Sequence, residues 1–390
     1  MMYLFSRIVF AIAIVLAVLS FQLDWRLWIR AATYPGNEVT EVSWYRPLEP
    51  VPGGSPRGFT SAPQSRFSPE SLSAVTTYAE AQNSSALLIL HEGDLILEKY
   101  WDGFSSNSLA NGMSMTKTVV GLLMGIAIDE GHIASVRDPV QKYLPNWPYQ
   151  QRWQTLGLPN APQITLEDLL YMQSGLRNDD DTTTPFSDLV QMYLSSDVAD
   201  VALNVAPEHP PGETFEYNNV NTQILSLVLE SATGESFRDY LSKQLWQPLQ
   251  ASTAKVWLDR PQGDAKTFCC LFATARDWAR LGMLLQNRGE MDQRQIISAD
   301  WLRQMLQPSP LEPTYGYHIW IKARTADYPN VDTAASEPFL AKDTFYLDGR
   351  GFQRVYVIPS RRLVIVRLGE QPSSWDDAVI PNTLIRGLTR

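Results

Sequence analysis

The 390-residue sequence predicts an α+β fold: an antiparallel β-sheet built from both ends of the globular part and flanked by helices, with an inserted, mainly helical subdomain. Two observations carry this. Apolar hairpin patterns occur early, at Ala86 to Trp101, and late, at Phe352 to Glu370, while the chain between about Leu122 and Trp301 repeats with a helical period. Strands, then helices, then strands pack most economically as one sheet with the helices beside it. No internal repeat is present.

Composition agrees with a globular protein. The chain is 44% hydrophobic and 11% aromatic, and its 22 Gly and 26 Pro are too few for a collagen-like or low-complexity polymer. Length alone allows two to three units, or one large domain with a subdomain. With 32 Lys+Arg against 42 Asp+Glu the net charge is −10. Nucleic-acid binders concentrate positive charge on one face, so a nucleic-acid partner is excluded.

The elements follow in chain order. Arg7 precedes an apolar run from Ile8 to Ser20 that continues to Leu23 before Asp24 and Arg26. The run falls between the ~7–15 residues of a signal-peptide core and the roughly 17–25 of a spanning helix. Val18 and Ser20 could flank a cleavage site, but no A-x-A pattern is present, so an uncleaved anchor is favoured over a cleaved signal. Both imply export, to the periplasmic side of a bacterial inner membrane or beyond it. Residues 1–30 are assigned to this signal-anchor or signal peptide, which makes the membrane a partner.

Residues 31–67, with Pro35, Pro47, Pro50, Pro52, Pro56, Pro63 and Gly53-Gly54, read as a Pro-rich spacer of irregular chain. Ser68-Pro69-Glu70 marks a helix start, with Ser as N-cap and Pro at the first helical position. The globular domain is assigned to 68–390, its helical subdomain to about 135–300. In the first hairpin His91-Glu92-Gly93-Asp94 forms the turn, and in the last Pro359-Ser360-Arg361-Arg362 does. Between them LEDLLYMQSGL, NTQILSLVLESATG, FRDYLSKQLWQPL, ARDWARLGMLLQNRG and SADWLRQML read as helices, and WDDAVIPNTLIRGLTR as a terminal helix interrupted at Pro381. Adjacent α-carbons are about 3.8 Å apart, short of the usual ~4.4–6.8 Å for a disulfide, so Cys269 and Cys270 are expected to be two small buried residues rather than a bridge.

Ser114 and Lys117 form S-x-x-K at the start of an apolar run, Thr118 to Ile128. On a helix, positions i and i+3 share a face with β-carbons about 5–6 Å apart, so the amine reaches the hydroxyl. A hydroxyl is a poor nucleophile without a base, and burial depresses a lysine toward that role. The helix dipole would help hold an oxyanion there. Alone, S-x-x-K is weak, and a Ser N-cap with a solvated Lys is its ordinary reading. Tyr217 and Asn219 form Y-x-N before another apolar helix. A phenol can exchange protons with a serine and a leaving group, and an amide can hold substrate and lysine. The plainer reading is an Asn- and Gly-rich turn.

Taken in order, S-x-x-K opening a buried helix, TLEDLLYMQSGL, PGETFEYNNVN, FATARDWARLG and a last strand pair preceded by a Gly-containing loop resemble the serine β-lactamase and penicillin-binding-protein superfamily. The similarity runs from about Ala86 to Gly369. It is nearest to the class C β-lactamase-related serine hydrolases, which include esterases, D-aminopeptidases and nylon-oligomer amidases. The resemblance implies a β-lactamase/transpeptidase-like fold and an acyl-enzyme on Ser114. It makes Lys117 the base partner, Tyr217 the general base/acid and Asn219 the residue that orients substrate and lysine, with no metal or cofactor. The family's third motif, K-T-G or H-x-G, falls at Leu347-Asp348-Gly349, or in a shifted register at Arg350-Gly351-Phe352. Neither begins with Lys or His. In the first register the oxyanion hole is implied to use the backbone N–H groups of Ser114 and Arg350, which survive side-chain change, whereas β-lactam or peptide-carboxylate recognition is put in doubt.

Other constellations fare worse. Gly112-Met113-Ser114-Met115-Thr116 lacks the second Gly of a nucleophile elbow. His91, His132, His209 and His318 form no H-x-x-x-H pair, and Asp179-Asp180-Asp181 lacks the spacing of a calcium loop. Tyr315, Tyr317 and Trp320 read as packing, some of them candidates for an acyl pocket. The expectation is a serine hydrolase of a small ester or amide. The alternatives are a β-lactamase or D,D-peptidase, and a catalytically inactive, membrane-tethered binding protein.

Overall fold

In the computed structural model, which describes residues 24–63, 66–156, 162–328 and 330–389, the chain enters on helix α1 (Trp25–Ala32) and strand β1 (Leu48–Val51). Helix α2 (Pro69–Ala81) precedes the hairpin of β2 (Ser84–His91) and β3 (Asp94–Tyr100), and β4 (Ala110–Asn111) leads into α3 (Met115–Asp129). The helical stretch holds α4 (Tyr149–Thr155), α5 (Leu166–Leu170), α6 (Asp188–Leu194), α7 (Val198–Asn204), α8 (Asn219–Thr233) and α9 (Phe237–Leu241). Next come β5 (Ala254–Trp257), β6 (Leu271–Ala273), α10 (Ala275–Gln286), a small hairpin of β7 (Glu290–Met291) and β8 (Arg294–Gln295), and α11 (Ala299–Met305). The chain closes with β9 (Phe345–Gly349), β10 (Gln353–Ile358), β11 (Leu363–Gly369) and α12 (Val379–Gly387).

The main sheet has the order β3-β2-β11-β10-β9, antiparallel throughout. Its two hairpins are joined where β11 pairs with β2, so the α+β expectation of one sheet made from both ends of the domain holds. Both faces are covered. Leu88, Leu90, Val364 and Val366 belong to one apolar cluster and Leu87, Ile89, Leu363 and Ile365 to the other. That is why these strands read as unbroken apolar runs rather than as a polar alternation.

Helix α10 lies on β10 and β11. It approaches closely because Gly282 has no side chain: a Cβ there would fall 2.5 Å from Val364 Cγ1 and 2.9 Å from Val355 Cγ1. Gly282→Ala is therefore expected to destabilise the fold by ~1–3 kcal/mol through overpacking, read as a lower urea midpoint at unchanged m-value. An unchanged midpoint would show that α10 shifts outward without loss.

Several expectations need correction. The stretch expected to be a free spacer is built into the body: β1 pairs with β5 in a second sheet, ordered β1-β5-β6-β4, and Val39, Tyr45 and Val51 are fully buried. Pro50 is tolerated because β1 is an edge strand, where a missing N–H costs no ladder bond. Tyr45 anchors the stretch edge-on against Trp257 (5.0 Å) and Phe272 (4.8 Å). Within 135–300, expected to be mainly helical, β5 and β6 also occur and α10 packs on the main sheet. Pro381 does not interrupt the last helix. It is the third residue of α12, in the first turn, where its missing N–H has no intrahelical acceptor to lose.

Cys269 and Cys270 are joined as a vicinal disulfide; the left-handed backbone of Cys270 (φ 60°) brings neighbouring side chains together. The apolar run Ile8 to Ser20 lies outside the described residues, and among the described residues no helix is long and apolar enough to cross a membrane.

Candidate active site

Ser114 stands at the N-terminus of α3, a helix buried from Met115 to Ala127. The preceding Met113 is in the left-handed region (φ 49°), and its N–H is held at 3.0 Å by the buried Asn111 Oδ1. This turn presents Ser114 at the helix mouth with its hydroxyl unused as a cap. One turn on, Lys117 is almost wholly buried. Its Nζ lies 2.7 Å from each of three acceptors: Ser114 Oγ, Asn219 Oδ1 and the Phe268 carbonyl. Burial lowers the amine to about 7, opposed by the Asp348 carboxylate. A neutral amine has two donors and one lone pair. It can bond Asn219 and Phe268 while accepting from Ser114, which is the arrangement a base requires.

The segment before α8 brings up the second pair. Asn218 caps α8, accepting from the Val220 N–H, and donates to the Leu176 (3.1 Å) and Arg177 (3.0 Å) carbonyls. That leaves Asn219 to face Lys117. The Tyr217 ring lies under the amine, with Nζ 4.9 Å from its centroid. The same ring stacks on Trp320 (5.8 Å) and meets Tyr315 edge-on (5.9 Å). Burial raises the phenol above its ordinary value, as does Asp348, while a hydrogen bond with Ser114 opposes the rise. At neutral pH Tyr217 is therefore a protonated donor. Beside Lys117, His318 is driven down to about 3, by burial and then by the lysine, and stays neutral.

Strand β9 brings Leu347-Asp348-Gly349 alongside the turn that presents Ser114. Gly349 packs so closely on it that a Cβ would fall 2.5 Å from the Gly112 carbonyl. Of the two registers considered, this is the segment against the Ser114 turn, and it sets the Arg350 amide immediately after the contact. Leu347 is fully buried and offers no polar group. Asp348 is paired with Arg354, its cross-strand partner, and with Arg324 (2.7 Å). Arg354 is held in turn by Asp377, Nε to Oδ1 2.6 Å. The Arg350 side chain turns away to Glu38, Nε to Oε1 2.7 Å.

Sequence reasoning missed the Phe268 carbonyl, Arg324 over Trp320 (4.3 Å) and Glu38, while Trp320, read as packing or an acyl-pocket candidate, stacks on Tyr217. A main-chain acceptor leaves no residue signature, and Glu38 lay in the presumed spacer. Asp179-Asp180-Asp181 forms a loop that bonds within itself, Asp181 accepting from Thr183. Among the described residues one acidic group is compact enough for a cation, Asp197, Asp259 and Asp264, but Arg260 crosses it, 2.9 Å from Asp259.

A family model described as Beta-lactamase matches residues 74–389. The 6-aminohexanoate-dimer hydrolase of Paenarthrobacter ureafaciens is 25% identical over 307 residues, covering 75% of this chain and 73% of that protein. Among solved structures, a family VIII carboxylesterase superposes with a TM-score of 0.62 at 16% identity, covering 85% of this chain and 99% of its own. EstCE1, a hydrolase with promiscuous acyltransferase activity, superposes at 0.61 and 15% identity, with 82% and 98% covered. These two likenesses establish the shared fold.

Proposed function

The chain belongs to the beta-lactamase family, and from that premise we propose that it is a serine hydrolase cleaving an ester or amide through an acyl-enzyme on Ser114. The observation that carries this is the 2.7 Å contact between Lys117 Nζ and Ser114 Oγ, with the lysine lowered to about 7.

In the proposed sequence Lys117 takes the Ser114 proton as Oγ bonds to the substrate carbonyl carbon. The N–H groups of Ser114 and Arg350 hold the oxygen that becomes negative. The bond to the leaving alcohol or amine breaks, and Tyr217, protonated at neutral pH, supplies that group's proton and is reprotonated through Lys117. Water then attacks the acyl carbon by the same route in reverse, releasing the acid and restoring the serine hydroxyl. Asn219 fixes Lys117 during both halves. Turnover of a small ester or amide is favoured over that of a β-lactam, because a buried Leu347 stands where the resemblance expects a cation for the substrate carboxylate. The apolar N-terminal run supports a location outside the cytoplasm, on the periplasmic face of a bacterial inner membrane.

The test is covalent. A fluorophosphonate is expected to add one equivalent to the protein, with the adduct mapped by mass spectrometry to the peptide holding Ser114. A fluorescent penicillin is expected to leave that peptide unlabelled. Failure of the fluorophosphonate to modify Ser114 would return the chain to a binding role.

A further inference from the structure

We propose, building on the serine-hydrolase reading, that α1 is the membrane-facing wall of an apolar subsite beside Ser114, and that the substrate is an ester or amide whose hydrocarbon chain is drawn from a bilayer surface. Three observations meet here.

The first is the surface of α1. Trp25 is 57% exposed, Trp28 46% and Ile29 53%, three large apolar side chains grouped on the solvent face of one short helix. This is not a frayed end. Asp24 caps the helix, accepting from the Arg26 and Leu27 amides at 3.2 Å. Arg30 clamps it to the body, donating to the carbonyls of Leu194 (2.9 Å), Ser195 (2.8 Å), Arg46 (3.1 Å) and Asp259 (2.7 Å) while lying 4.9 Å over the Trp257 ring. A rigid platform of Trp and Ile with Arg26 beside it has the composition of an interfacial membrane helix.

The second is what precedes it. Residues 8–23 carry no charge and run directly into Asp24. With that stretch in lipid, α1, which starts at Trp25, lies at the bilayer surface.

The third is a pocket of about 430 Å³ that borders α1 along Trp28 and Ala31, inside the ~300–1,000 Å³ range of small-molecule sites. Trp28 and Tyr34 line it from the N-terminal segment, and Leu189 and Val190 from α6. Met113 and Arg350 close the end nearest the nucleophile turn. Its lining is mainly apolar, with Thr182 to Thr184 on one wall and the Arg350–Glu38 pair beside Met113, the residue before Ser114. A chain whose carbonyl is at Ser114 can lay its tail past Met113 along Leu189, Val190 and Trp28 of α1. The family match begins at residue 74, so α1 and Tyr34 lie before the matched residues.

Two measurements on the full chain test it. Each buried methylene is worth roughly fourfold in binding, so kcat/KM for nitrophenyl octanoate is expected to exceed that for the acetate by at least ~30-fold. Leu189→Trp, which fills the pocket, is expected to cut that ratio at least ~tenfold, with fluorophosphonate labelling of Ser114 reporting that the variant is folded. Ser114-dependent turnover without chain-length preference, or a ratio untouched by Leu189→Trp, overturns the subsite. Loss of every Ser114-dependent ester activity would instead count against the hydrolase reading.

For the surface, no Trp precedes Trp25 in the sequence, so quenching by lipid reports the folded body alone. In vesicles of brominated phosphatidylcholine and phosphatidylglycerol the wild-type fluorescence is expected to fall. In Trp25→Phe/Trp28→Phe that fall is expected to disappear. Unquenched wild type, or quenching that survives in the double variant, overturns the membrane-facing assignment.

Discussion

Lys117→Arg turns over a nitrophenyl ester about 10²–10⁴-fold more slowly than the wild type, the usual worth of a positioned proton acceptor, and Ser114→Ala falls to background. The arginine keeps the charge but has no accessible neutral form. A variant defined by charge alone would stay active, whereas one defined by proton acceptance would not. The pH profile separates the same alternatives. The amine must be neutral to act, so log kcat/KM rises with unit slope below about 7 and levels off above it, as the value that burial imposes on Lys117 dictates. The sign for stability is the same: Lys117 binds more protons unfolded than folded between about 7 and its ordinary 10.5, so this residue's contribution to stability rises with pH through that window. A wild-type profile flat between about pH 5.5 and 8.5 would remove Lys117 from the role of base.

Gly349→Ala is the second large effect. The added methyl would sit 2.5 Å from the Gly112 carbonyl and 2.9 Å from Gln353 Cβ. The first of these is backbone, which cannot swing aside as a side-chain end can. Strand β9 must therefore retreat from the nucleophile turn and carry the Arg350 amide with it. Loss of one oxyanion donor costs ~10²–10³ in kcat, so turnover falls by that order while KM changes little. Gly103→Ala is a useful contrast, because a Cβ there would meet nothing within 4 Å; its φ of +77° strains the chain but leaves the site alone. Full activity in Gly349→Ala would place the second donor elsewhere.

The sequence was readable where side-chain identity and spacing do the work. Ser114 and Lys117 stood out by their i, i+3 spacing at the head of an apolar helix and Tyr217 and Asn219 by theirs before another, but each pattern alone was weak, and it was their order along the chain, through the resemblance it carries, that gave them roles. The two hairpins were readable from Gly93 and from the turn at Pro359, hence also the sheet they form. What stayed hidden depends on distant chain or on the main chain itself. The Phe268 carbonyl belongs to no motif. The pairing of Asp348 with Arg354 becomes visible only once the β9–β10 register is known, and Arg324 and Asp377 arrive from separate loops. Proline content concealed a folded N-terminal segment, since an edge strand accepts Pro where a central strand would not.

The junction of β2 and β11 bears on the order of events in the life of the chain. Arg367 on β11 donates to Ser84 Oγ on β2 across 283 residues of sequence, at 2.9 Å. The sheet's middle strand is thus the last to be synthesised, and contacts so remote in sequence form slowly. Until the carboxyl end emerges, β2 and β3 have no neighbour to close upon, and Gly349, delivered on β9, is not yet beside Ser114. The Ser114 site is therefore assembled only when synthesis is nearly complete, so a chain truncated before β9 carries the serine without the strand that faces it.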